Sequence, residues 1–139
     1  MEIWEATPGS ESRVEAAEHL FDDPVDLDAT RRFLADDANV LLLAYENGEA
    51  AGFVSGTVLA HPDKAAPEMF LNELAVDEAF QGRGIGRALV VELWQIAQSR
   101  GCRGMWVLTD DDNIAANKVY SAAGGVRARA ERMYEWGES

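Results

Sequence analysis

A chain of 139 residues, 47% of them apolar, has material for one hydrophobic core and excludes a multidomain assembly. Its 25 acidic residues against 12 basic ones give a formal net charge of −13, a field that repels nucleic acid and anionic lipid and draws cations, although solubility or a salt-rich host explains the same excess. The strongest apolar run, Val40 to Tyr45, is too short to span a bilayer, the lone Cys102 excludes an internal disulfide framework, and Glu2 and Glu5 stand where a secretory leader carries basic residues, so a cytoplasmic protein is expected.

Glu2 to Thr7 reads as a short first strand. Val14, Ala17, His19, Leu20 and Phe21 fall at roughly helical spacing, so a helix is expected from Glu11 to Phe21, ended by Pro24. Asp26 or Asp28 can cap a second helix that runs through Phe33 and Leu34. Asn39 to Tyr45 is expected as a buried strand. Asn47-Gly48 is a strong hairpin signal, because both turn residues tolerate positive φ. The return strand covers Glu49 to Leu59, with Gly52 and Gly56 marking bulges or close approaches. His61-Pro62-Asp63-Lys64 reads as loop as far as Pro67. Met69 to Val76 is the next strand, followed by a polar, glycine-rich turn from Asp77 to Arg83. Ile85, Leu89, Leu93 and Ile96 line one face of a helix from Ile85 to Gln98, stopped by Ser99-Arg100-Gly101. A strand from Met105 to Leu108, a helix from Asn113 to Ala122 with Gly124-Gly125 behind it, and a closing strand from Met133 to Trp136 complete the order. Strands with helices outside them make a single-domain mixed α/β (α+β) fold.

The chemistry concentrates at Gln81-Gly82-Arg83-Gly84-Ile85-Gly86-Arg87. Glycines at a helix start expose backbone N–H groups, and the helix N-terminus adds about half a positive charge. That combination grips a pyrophosphate. Arg83 and Arg87 add two full charges, and no acid interrupts the stretch. A tight turn with surface arginines is the plainer alternative. The spacing Gly82-x-Gly84-x-Gly86 is not the Gly-x-Gly-x-x-Gly of a dinucleotide fold, and no Gly-Lys-Ser/Thr follows, so it is not a Walker loop.

This stretch resembles the Gln/Arg-x-x-Gly-x-Gly/Ala signature of the GNAT superfamily of N-acetyltransferases, with Gln81, Gly84 and Gly86 filling it. Leu74-Ala75-Val76 precedes it at the family's usual distance. Asn113-x-x-Ala116-x-x-x-Tyr120-x-x-x-Gly124 is similar to the family's second cofactor segment. The resemblance runs from about Val40 to Trp136. It implies a mixed, mostly antiparallel central sheet flanked by helices and acetyl-coenzyme A as cofactor. Leu74, Ala75, Val76, Gln81 to Arg87, Asn113, Ala116 and Tyr120 are then the cofactor-binding set. Within the superfamily the chain looks most like the small aminoglycoside 3-N-acetyltransferases, on Glu73 before Leu74-Ala75-Val76, on Asp110-Asp111-Asp112, and on the Leu20-Phe21 segment followed by acids. It departs after Gly124, where Gly125-Val126 replaces the family's usual aromatic.

An alkyl amine with a pKa of about 10.4 is neutral in roughly one molecule per thousand at pH 7, so acetyl transfer calls for a base. Glu73 is the candidate, directly or through water, and a strand acid that anchors a cation or faces solvent is its alternative. The resemblance implies a backbone N–H near Leu74 or Ala75 facing the thioester oxygen, and a strand splayed to free backbone groups for the pantetheine arm. Tyr120 is the candidate acid for the leaving thiolate, a core tyrosine being the alternative. Asn113 can cap its helix or bind the pantetheine, and the two roles are compatible. Asp110, Asp111 and Asp112, with Asp22 and Asp23 and their neighbours Asp26 and Asp28, are candidates to line a site for a cationic amine. A solvated loop and a helix cap explain the same acids.

His19 and His61 are isolated and no second cysteine exists, so no zinc spacing is present. Cys102 is expected as a buried small residue, and Trp4, Trp94, Trp106 and Trp136 as core or partner contacts. A homodimer is a mild expectation of the resemblance. Against aminoglycoside acetylation stand acetylation of another amine (a polyamine, a protein or peptide amine, a small metabolite), a non-catalytic acyl-CoA-sensing module, and nucleic-acid binding, which the charge disfavours.

Overall fold

The computed structural model describes residues 1–128 and 130–137. Five strands form one sheet in sequence order: β1 (Glu2–Glu5), β2 (Asn39–Glu46), β3 (Glu49–His61), β4 (Lys64–Val76) and β5 (Met105–Trp106). Each of the first four is antiparallel to its neighbour, and β5 joins β4 in parallel across the helix α3 (Ile85–Ser99). Helices α1 (Glu11–Glu15) and α2 (Leu27–Ala35) cover one face, while α3 and α4 (Ile114–Ala122) pack on the other side. The sheet-and-helix expectation holds: this is a mixed α/β fold with a mainly antiparallel sheet.

Strand β2 is apolar on both faces because both are covered. Val40, Leu42 and Ala44 join the core under α3, whereas Leu41 and Leu43 join Val14, Ala17, Leu20, Leu34 and Phe53 under α1 and α2. Asn47 at φ 52° and Gly48 at φ 82° make the hairpin turn between β2 and β3, pairing Glu46 with Glu49. Gly52 is a close approach. A Cβ there would lie 2.9 Å from the Ala75 carbonyl oxygen, 3.2 Å from Ile85 Cγ2 and 3.3 Å from Leu89 Cδ1. Gly52→Val is therefore expected to cost about 1–3 kcal/mol by overpacking, read as a lower denaturant midpoint. A midpoint equal to the parent's would mean that β4 and α3 yield at that point.

Several sequence expectations are corrected. The first helix stops at Glu15, and a 3₁₀ turn over Glu18–Leu20 follows. Val14, Ala17 and Leu20 repeat every three residues, which is the 3₁₀ period, and all three are buried. The expected loop from His61 to Pro67 is instead a tight hairpin in which His61 pairs with Lys64. Pro67 lies inside β4 within the register break between Leu59 and His61, a place where a missing N–H is tolerated. The strand expected to reach Leu108 ends at Trp106. No strand forms at Met133 to Trp136; Met133, Tyr134 and Trp136 are exposed. β-Propensity is not enough there, since an isolated strand has nothing to pair its backbone.

Candidate active site

Strand β4 builds the centre of the site through one extra residue. Its register to β3 runs Phe70↔Thr57 and Leu71↔Gly56, then jumps to Glu73↔Ser55, so Asn72 is left over as a β-bulge. The bulge inverts the side-chain alternation. Before it Met69 and Leu71 point into the α3 core; after it Leu74 and Val76 do, and Glu73 and Ala75 turn to the opposite face. On that face Ala75 packs with Phe53 and Phe21, whose rings stack at 4.3 Å. Glu73 lies beyond them. Glu73 is exposed to solvent, and the partial desolvation it does meet, with the nearby Asp22 carboxylate second, moves its carboxyl above the ordinary value.

Strands β4 and β5 pair only at Met69↔Met105 and Phe70↔Trp106. β4 then continues to Val76 with no strand among the described residues on its β5 side, which leaves that backbone edge without a ladder partner. A cavity of about 380 Å³ occupies this end of the sheet, bounded by Leu71, Trp94, Met105, Val107, Tyr120 and Gly125 among others. A hollow of about 330 Å³ beside Arg13, Tyr45 and Gly48 lies at the β1–β2 end, away from these groups.

At the end of β4, Asp77 Oδ1 accepts from the Ala79 N–H at 2.9 Å and caps a 3₁₀ turn over Glu78–Phe80. The Gln81 side-chain N–H donates to the Val76 carbonyl at 3.3 Å, tying the loop to the strand. Gly82 and Gly84 sit at φ 80° and 79°, a conformation that favours glycine, and a Cβ built on either meets nothing within 4 Å. The loop is thus left-handed by necessity and open to a ligand. Gly84 caps α3 without a side chain to satisfy its first-turn N–H groups, and Arg83 and Arg87 stand exposed beside them. Arg83 lies 5.3 Å above the Phe80 ring. These residues fit the pyrophosphate of coenzyme A. The third glycine also serves packing. A Cβ on Gly86 would lie 3.3 Å from Val119 Cγ1, so its bareness sets the approach of α4 to α3. Ile85 is buried core, so it shapes the helix start from beneath.

Asn113 is the cap of α4, its Oδ1 accepting from the Ala116 N–H at 3.1 Å. Tyr120, on the same helix, borders the cavity, and burial pushes its phenol up, so it is a protonated donor at neutral pH. Gly124 at φ 99° and Gly125 end α4 in a Schellman pattern, with Gly124 N–H donating to Ser121 and Gly125 N–H to Tyr120. A Cβ on Gly125 would lie 2.9 Å from the Tyr120 carbonyl oxygen, which explains glycine where the family usually has an aromatic.

The acids divide. Asp22 is close enough to Glu73 to act on its charge, and Asp23 is exposed next to it. Asp26 caps α2 through the Ala29 N–H, and Asp28 pairs with Arg31. Asp110 and Asp112 spend their carbonyls on the turn into α4, Asp111 pairs with Arg127, and all three side chains are exposed. With β5 ending at Trp106, a loop rather than a strand carries them. Cys102 is buried and its thiol pushed up by that burial, as expected of a core residue. Trp4 packs under the Arg13 guanidinium at 3.8 Å, Trp94 borders the cavity, and Trp136 is exposed.

Sequence reasoning missed two features of this face. Phe70 and Trp106 form an aromatic ledge, ring centres 4.6 Å apart, with the indole N–H donating to Glu68 Oε1 at 3.0 Å. Ser55 is a buried hydroxyl opposite Glu73. A polar residue between Val54 and Gly56 was the available signal for the second; the ledge has none, because it depends on the parallel register of β4 and β5.

Comparison with known proteins agrees with this geometry. The model of the acetyltransferase (GNAT) family matches residues 2–124. The N-alpha-acetyltransferase RimI of Mycobacterium tuberculosis is 33% identical over 124 residues, covering 88% of this chain and 75% of its own length. Mycothiol acetyltransferase of Beutenbergia cavernae is 31% identical over 98 residues, covering 70% of this chain; the chain spans only 32% of that enzyme's length. Among solved structures, an aminoglycoside acetyltransferase, meta-AAC0020 from an uncultured soil metagenomic sample, superposes with a TM-score of 0.89 at 18% identity, covering 99% of this chain and 96% of its own. AAC(6')-Iy, in complex with the bisubstrate analogue CoA-S-monomethyl-acetylneamine, gives a TM-score of 0.81 at 21% identity, covering 98% and 97%. These two likenesses are of fold. With the glycine loop, the β4–β5 pair and the Asn113-capped α4 all inside the matched span, the chain belongs to the GNAT acetyltransferase family, whose acetyl donor is acetyl-CoA.

Proposed function

We propose that this chain transfers an acetyl group from acetyl-CoA to a primary amine of a cationic small molecule, an aminoglycoside-type sugar acetylated at its 3-amino group. The observation that carries the reading is the placing of two like charges, the Glu73 and Asp22 carboxylates, near each other on the α1–α2 face of the sheet, where β4 runs on past its two pairs with β5. Bound acetyl-CoA supplies an activated thioester. The α3 N-terminus with Arg83 and Arg87 holds its pyrophosphate. The uncovered backbone edge of β4, near Leu74 and Ala75, takes the pantetheine and polarises the thioester carbonyl. Asp22 draws the acceptor's ammonium group to the face, and Glu73 removes its proton, directly or through water. A carboxyl shifted upward serves this better than an ordinary one, because its pKa lies nearer the working pH. Tyr120 returns a proton on the leaving side.

The aromatic ledge of Phe70 and Trp106, whose neighbouring Glu68 carboxylate is already paired with Arg103, supports an acceptor with an apolar ring face. The identity to RimI favours a second reading, in which the acceptor is the α-amine of a protein or peptide. Thiol release from acetyl-CoA separates them when a gentamicin-type aminoglycoside, polyamines, and peptides with free α-amines or lysines are offered in parallel. Release with the aminoglycoside alone is expected, and the product's acetylated position then tests the 3-amino assignment. Release with the peptides alone would overturn the small-molecule reading, and silence with every acceptor would favour an acyl-CoA-sensing module.

Asp22→Asn provides a finer check. The acceptor KM is expected to rise about 5- to 10-fold, with a flatter salt dependence, as a screened charge contact is lost. Because the Asp22 charge raises the Glu73 pKa, its removal shifts the acid limb of the pH profile to lower pH. A KM and a limb that both stay in place would make Asp22 a bystander.

A further inference from the structure

The α1–α2 face of the sheet holds a polar group that the chemistry above does not use. Ser55 is 4% exposed, and its Oγ, shielded from solvent, has no hydrogen-bond partner among the described residues. Buried hydroxyls are nearly always satisfied, because leaving one unpaired costs free energy. The neighbouring hydroxyl on the same face of β3 is already engaged: Thr57 Oγ1 donates to Asn39 Oδ1 at 2.9 Å. Ser55 is therefore a donor held in reserve.

What it faces is set by the bulge. Ser55 stands directly opposite Glu73 in the β3–β4 register, and the break falls between Ser55 and Gly56. In an unbroken ladder Leu71↔Gly56 would be followed by Asn72↔Ser55; the extra residue puts Glu73 there instead. Directly opposed side chains share a face, with Cβ atoms about 4.5–5.5 Å apart. A turn of the Glu73 side chain brings its carboxylate onto the serine hydroxyl.

We propose that Ser55 is the positioning residue for Glu73: its Oγ–H donates to the ionised carboxylate, which fixes the carboxylate's direction and stabilises its charge. The inference rests on the reading of Glu73 as the base. The other groups facing Glu73 do not supply such a donor. Asp22, arriving from the segment between the 3₁₀ turn and α2, is an acid that opposes ionisation, and β3 contributes only the engaged Thr57 and the ring of Phe53. No Lys, Arg or His side chain is paired with Glu73 among the described residues.

The test is a carbon-13 titration of the side-chain carboxyls in protein saturated with coenzyme A, the Glu73 signal being assigned by its loss in Glu73→Gln. A donor to the carboxylate favours the charged form, so Ser55→Ala is expected to raise the Glu73 midpoint by about one pH unit. Ser55→Thr, which keeps the hydroxyl, is expected to restore it. Thermal stability of Ser55→Ala is read beside the titration as the check on packing. An unmoved midpoint in Ser55→Ala overturns the proposal, and a fall in stability with an unmoved midpoint assigns Ser55 a packing role only. Failure of the underlying reading shows elsewhere: undiminished thiol release by Glu73→Gln would dismiss the base whatever the titration gives.

Discussion

With Glu73 replaced by glutamine, turnover is expected to fall about 10²- to 10³-fold, within the range that general-base catalysis contributes. Coenzyme A affinity should survive, because Glu73 lies on the face of β4 away from the α3 core, whereas the proposed cofactor cradle lies at the start of α3. Glutamine keeps the volume and the hydrogen-bonding outline, so only the proton-accepting function is lost. The parent's acid limb is expected above the ordinary carboxylate value, because burial and the Asp22 charge both oppose ionisation. That limb should vanish in the variant. Near-normal turnover across roughly pH 6–9 would dismiss Glu73 as the base.

Reversing both arginines, Arg83→Glu with Arg87→Glu, is expected to weaken acetyl-CoA binding about 100-fold or more, since charge-assisted contacts to phosphate become repulsions. Calorimetry reads this directly. Both side chains are exposed, so the fold should be kept, and a parent-like circular dichroism spectrum is the control. The remaining affinity should measure what the backbone N–H groups at the α3 start contribute alone. An unchanged affinity would remove the cradle from this loop.

Local chemistry was the legible part of this chain. Asn47-Gly48 announced its turn because few residues accept positive φ twice in succession, and Asn113 announced a helix start because its side chain can cap. The glycine loop was legible for the same reason, although the part Gly86 plays in helix packing was not. Features that depend on register were not. Met69, Leu71, Leu74 and Val76 form two alternating pairs out of step with each other, which marks a bulge only after β3 is laid beside them. Whether Glu73 faces core or solvent depends on that step. The acids behaved likewise: composition grouped Asp22 with Asp26 and Asp28, but the structure gives the latter two to a cap and an ion pair. At Met133 to Trp136 a strand-like composition met no strand to pair with.

The leftover Asn72 has a consequence for how such a chain can change over generations. Swapping one side chain for another along β4 perturbs one contact at a time. Losing or gaining a single residue between Leu71 and Glu73 would exchange the faces of everything on one side, sending Leu74 outward and Glu73 into the apolar layer under α3. The strand's reading frame is thus far less forgiving than its spelling, and length variation among descendants should gather instead at the short connections, such as Pro62-Asp63 at the tip of the β3–β4 hairpin.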